Sequence, residues 1–171
     1  LEEMRDAQSY RLALELASIG AGRCKATVHS GDIKTLPYKI ASRIRSTYGG
    51  DEQSLIAQGF GSFDYVFEFS QQKDNRAKKV LKSVSELCYE SERDMVSIHK
   101  ICEYDAARKK WNWNFHLGED KEEKLRLWPE ETKMMKKELK VLSERNPIIG
   151  NCVIYPRYYH PSMKGREDAH D

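Results

Sequence analysis

Residues 60–104 read FGSFDYVFEFSQQKDNRAKKVLKSVSELCYESERDMVSIHKICEY, and the reading of this stretch decides the fold. In SFDYVFEFS, Phe63, Tyr65, Phe67 and Phe69 alternate with Asp64, Val66, Glu68 and Ser70. A period of two is that of a half-buried strand, and it predicts the rings against a core with the polar side wet. In KDNRAKKVLKSVSELC, Ala77, Val80, Leu81, Val84, Leu87 and Cys88 fall at helical spacing, with Lys73, Arg76, Lys78, Lys79 and Lys82 mostly on the other side. This predicts a basic amphipathic helix over 73–88, with Asp74 able to cap its start. DMVSIHKICEYD alternates again and predicts a second strand, with Val96, Ile98, Cys102 and Tyr104 opposed to Ser97, His99, Ile101 and Glu103.

Toward the C-terminus, WNWNFHLG sets Trp111, Trp113, Phe115 and Leu117 against Asn112, Asn114 and His116. Behind the short basic turn AARKK, it predicts the return strand of a hairpin. Pro129 splits the charged stretch 119–145, whose second half carries Met134, Met135, Leu139 and Leu142 at helical spacing up to Asn146-Pro147. IIGNCVIYPRYYH predicts an edge strand broken by Pro156. Toward the N-terminus, SLIAQGF fits a strand or a helical turn, with a bend at Gly59 and Gly61. LPYKIASRIRSTYGG predicts a helix from Pro37 to Gly49-Gly50, and RCKATVHSGD a strand ending at Ser30-Gly31-Asp32. Residues 1–19 predict one more helix. The expected organisation is an N-terminal helix over 1–20, a single α+β domain over 21–160 and a polar tail over 161–171.

With 171 residues the chain can bury a sizeable core. Charged residues make up 33%, yet the net charge is only +2, so binding of nucleic acid or membrane by bulk charge is excluded and local patches must carry it. Cys24, Cys88, Cys102 and Cys152 form no CxxC pair, and thiols in a reducing, intracellular compartment are the plainest reading. No signal peptide and no membrane-length apolar run is present, so no membrane partner is expected. The start at Leu1 suits a piece of a larger protein.

Residues 23–105 thus give strand, helix, short strand, strand, helix, strand, the split βαβ order of a ferredoxin-like sandwich with extra helices at both ends. With its Gly-Phe-Gly bend, aromatic strand and following helix, this half of the chain resembles an RNA-recognition motif. In that family two alternating aromatics on this strand stack bases, which implies stacking positions for Phe63 and Tyr65 and an inward Val66. Asp64 stands where the family has Gly or Ala, and Glu68 on its last aromatic position. Rings facing solvent would turn both carboxylates into the core, so the opposite orientation is expected, with the ligand surface moved off the sheet.

The expected function is a non-catalytic binding module for RNA or single-stranded nucleic acid, without cofactor or metal. Its surface would be a stripe of Lys39, Arg43, Arg45, Lys73, Arg76, Lys78, Lys79 and Lys82 on two helices, extended by Arg108, Lys109 and Lys110 in the hairpin loop. Ordinary solubilising charge is the plainer account of the same residues. The first alternative is a protein-interaction or self-association module using the Trp strand and terminal helices. The second is a metal-dependent enzyme on a sheet face of Lys25, His29, Asp64, Glu68, His99, Glu103, Asn112, Asn114 and His116. No HxH or HExxH spacing supports convergence of these groups, and a solvated sheet face is the expectation.

Overall fold

The computed structural model describes residues 3–19, 25–30, 32–71, 78–90, 92–116, 118–148 and 152–156, with side chains outside 119–120 and 152–156. They divide into two compact units. One takes in residues up to Asp64, Leu87–Ser97 and those from Ile154; the other takes in Tyr65–Glu86 and Ile98–Val153.

The first unit is built on three helices, α1 (Ala7–Ser18), α2 (Leu36–Tyr48) and α3 (Glu52–Ser62), which pack on one another. Asp6 and Ser9 form a reciprocal capping box at the start of α1. The Asp51 carboxylate accepts the Ser54 N–H at the start of α3. A short 3-10 turn (Ile33–Thr35) leads into α2, and Pro37 occupies the first turn, where its missing N–H costs nothing. Tyr10, Ala13 and Leu14 of α1, Ile40, Ala41 and Ile44 of α2, and Ile56 and Phe60 of α3 are buried. Tyr38 meets Phe60 edge to face at 6.4 Å. The segment SLIAQGF is therefore helical, and Gly59 lies inside α3 rather than at a bend. A Cβ on Gly59 would sit 3.3 Å from the Pro37 Cβ, so the glycine admits the close approach of α2 and α3. The strand expected near residues 24–28 is reduced to one parallel bridge, Thr27 to Glu3; Arg23 and Cys24 lie outside the described residues.

The strands are β1 (Tyr65–Gln71), β2 (Lys79–Glu90), β3 (Met95–Asp105), β4 (Lys110–Trp113) and β5 (Cys152–Pro156). Their order in the sheet is β1-β2-β3-β4, with β5 also paired to β3. The α+β class is as expected, but the second helix is not: residues 79–90 form β2. The helical spacing of Val80, Leu81, Val84 and Leu87 concealed a second pattern of period two, Leu81, Ser83, Ser85, Leu87. Ser83, Ser85 and Leu87 are almost fully buried. Two small hydroxyls at core positions make that side look polar, while Val and Ser both fit a strand better than a helix interior.

This substitution overturns the expected orientation of the aromatic strand. Tyr65, Phe67 and Phe69 are 40%, 59% and 61% exposed, whereas Glu68 is half-buried. The rings were expected beneath a helix over 73–88; residues 79–86 of that stretch instead lie beside β1 in the sheet. Glu68 turns to the other side and accepts a hydrogen bond from the buried Ser83 hydroxyl, with Lys82 Nζ at 3.9 Å, so the inward carboxylate is partnered.

The hairpin of β3 and β4 forms as expected, with Cys102 opposite Trp113 and Tyr104 opposite Trp111. Trp111 and Trp113 are half-buried, with ring centroids 6.3 Å apart, while Phe115 is exposed rather than part of a core. Pro129 splits the charged stretch into α4 (Glu119–Leu125) and α5 (Pro129–Arg145). The Thr132 hydroxyl donates to the Leu125 and Trp128 carbonyls, and Lys136 pairs with Glu122, fastening α5 to α4. α5 packs on β4, and the Trp113 N–H donates to the Asn146 carbonyl at 2.7 Å. Met135, Leu139 and Leu142 are half-buried, whereas Met134 is exposed. No helix among the described residues is long and apolar enough to cross a membrane.

Candidate nucleic-acid interface

β1 ends the β1-β2-β3-β4 order of the sheet. It pairs antiparallel with β2, setting Tyr65 opposite Glu86, Phe67 opposite Val84, Phe69 opposite Leu81 and Gln71 opposite Lys79. The register shifts between Glu68 and Phe69. Residues two apart on a strand lie about 6.7 Å from one another on one side. Tyr65, Phe67 and Phe69 therefore make a row of three exposed rings. Such a row offers successive flat ring faces, which suits stacking on any unpaired base. At one end of the row β2 begins, and Lys79 and Lys82 are exposed there. Lys78 directly precedes the strand and is exposed.

The basic residues singled out in the sequence fall into separate groups. Lys39, Arg43 and Arg45 lie on α2 in the first unit, where Lys39 Nζ donates to the His29 carbonyl and Arg45 pairs with Glu52. Lys78, Lys79, Lys82, Arg108, Lys109 and Lys110 belong to the second unit and are exposed. Lys73 and Arg76 lie outside the described residues. A stripe shared by two helices needed a helix that β2 replaces. In the hairpin loop the Asp105 carboxylate accepts the Ala107 and Arg108 N–H groups, both at 3.0 Å, and stands 3.7 Å from the Arg108 guanidinium. Lys109 takes a left-handed conformation with φ of 53°. The loop is thus shaped by Asp105, and Lys109 and Lys110 extend from it.

Of the residues weighed for a polar sheet face, the structure brings together His99 and His116. Their rings stack with centroids 3.5 Å apart and planes 7° from parallel. Burial, and after it the charge of His116, lowers the pKa of His99 to about 4; burial also lowers that of His116. Both imidazoles are therefore neutral near pH 7. The remaining candidates are dispersed: His29 pairs with Glu3, Glu103 with Lys100, and Glu68 with Ser83 and Lys82. Sequence reasoning missed Glu86, which is fully buried. It was read on a helix; the strand period of β2 is the signal that would have placed it opposite Tyr65. No protein-family model matches the chain, and no curated protein matches it.

Proposed function

We propose that the chain is a non-catalytic module that binds single-stranded nucleic acid, RNA foremost, on the outer side of β1. The observation that carries this reading is the exposure of Tyr65, Phe67 and Phe69 in one row on that strand. Bases stack on the rings, while Lys78, Lys79 and Lys82 take successive phosphates; Lys109 and Lys110 are further phosphate contacts. What carries over from the RNA-recognition motif is this chemistry of alternating strand aromatics, with Tyr65, Phe67 and Phe69 as the stacking set. An intracellular setting belongs to the same reading, since Cys88 and Cys102 form no disulfide.

Fluorescence anisotropy with a labelled mixed-sequence RNA oligonucleotide tests it. Binding should weaken steeply as salt rises, with a log–log slope of about −0.7 per phosphate neutralised. Phe67→Ala and Phe69→Ala should each weaken it about fivefold or more, from a stacking contribution of roughly 1–3 kcal/mol per base. Absence of binding at low salt, or binding indifferent to both substitutions, defeats the reading.

A second reading, self-association, is favoured by one observation on the same unit. Leu127 and Trp128, in the turn before α5, and Met134 and Val141 on α5 are exposed. Light scattering over a concentration series decides it: a mass that stays at the 19.9 kDa monomer rejects it.

A further inference from the structure

Tyr65, Phe67 and Phe69 stand about 6.7 Å apart along one side of β1, whereas bases stacked in a helical strand rise only about 3.4 Å each. A strand that lays one base on each ring is therefore drawn out to about twice its stacked length, so that no base stacks on the next. The row is also twisted. β1 pairs one for one with β2 from Tyr65 to Glu68, and then Phe69 meets Leu81, which leaves Lys82 of β2 without a partner on β1. Such an extra residue sharpens the local twist and turns Phe69 relative to Phe67, so a rigid stack of bases cannot follow the row. The rings of Phe67 and Phe69 end in carbon and carry no hydrogen-bond readout of base identity. Lys79, opposite Gln71, and Lys82, at the step from Glu68 to Phe69, are exposed beside this end of the row and fit an anionic backbone.

We propose that the ring row takes three successive unstacked nucleotides and thereby selects uridine-rich single strands over runs of adenine. This rests on the reading of the row as a nucleic-acid surface. The selection lies in what each strand gives up on binding. A run of adenines must first be unstacked, whereas a run of uridines scarcely stacks on itself and has a flexible backbone. A purine overlaps a phenyl ring better than a pyrimidine does, but inside a run it exchanges two base neighbours for one ring. With no base-edge contact from Phe67 or Phe69 to offset that loss, the difference in self-stacking decides the preference.

The test uses the whole chain with oligouridylate and oligoadenylate of equal length, and hence equal charge, in low salt. Fluorescence anisotropy should show the oligouridylate bound about fivefold more tightly or better. Phe67→Ala, a change at an exposed side chain, should bring that ratio toward one. A second measurement needs no variant: the circular dichroism of stacked adenines should fade as oligoadenylate is saturated with protein. Equal affinities, tighter binding of oligoadenylate, a ratio unchanged in Phe67→Ala, or bound oligoadenylate that keeps its stacked spectrum each overturns the proposal and leaves nucleic-acid binding by the row standing. Absence of binding to either RNA removes both.

Discussion

The imidazole of His99 lies flat against that of His116, with 3.5 Å between ring centroids. Two imidazolium ions could not share that geometry cheaply, and burial already disfavours the charge on each ring. Stability of the protein should therefore depend on pH. An unfolded histidine takes up its proton near pH 6.5, whereas folded His99 resists protonation down to about 4. Between those values the unfolded chain holds more protons, so stability rises with pH and falls on acidification through this window. Urea melts at pH 7 and pH 5 should show a lower midpoint at pH 5, and His99→Asn should reduce the difference. An equal difference in the variant would remove His99 as its cause.

Two phenylalanines seven residues apart should respond in opposite ways to truncation. Phe60 is fully buried in α3, and Phe60→Ala should destabilise by about 3–5 kcal/mol. Phe67 stands 59% exposed on β1, and Phe67→Ala should change stability by roughly 0.5 kcal/mol or less. Denaturant melts of the two variants measure the contrast. A large loss in Phe67→Ala would mean that its ring is covered in solution.

Gly59 is a contact position between helices. With its Cβ placed 3.3 Å from the Pro37 Cβ, a β-branched side chain there has no room unless α2 and α3 separate. Gly59→Val should cost about 1–3 kcal/mol through overpacking. Thermal melts check this; a neutral result would show that the two helices yield more readily than a packed core does.

Gly49 closes α2 with φ of 74° and ψ of −157°, a conformation that glycine alone adopts readily. Its N–H donates to the Arg45 carbonyl at 2.9 Å, and a Cβ there would meet no neighbour. Strain is then the sole penalty, and Gly49→Ala should destabilise by roughly 1–3 kcal/mol. Gly50→Ala, also at positive φ, serves as the adjacent comparison.

Local chemistry was legible where it acts within a few residues. The helix from Leu36 to Tyr48 followed from Pro37, the apolar spacing and the paired glycines, and the break between α4 and α5 from Pro129. The β3–β4 hairpin followed from two alternating runs around AARKK. The stretch 79–90 was not legible, because Val80, Leu81, Val84 and Leu87 satisfy a period of 3.6 while Leu81, Ser83, Ser85 and Leu87 satisfy a period of two. With the wrong period, Glu86 could not be placed on a strand opposite Tyr65.

The amino-acid sequence by itself determined the α+β class, the ends of α2 and α5 and the alternation of rings and carboxylates on β1. Alternation names two sides of a strand but not which one meets the core, because that depends on what packs there. Only the tertiary structure decided it: β2 lies beside β1 in the sheet, and the Ser83 hydroxyl partners the inward Glu68 while the rings stay in water. The meeting of His99 with His116 is likewise a product of tertiary structure, since no local rule sets which side chains stack across a separation of seventeen residues.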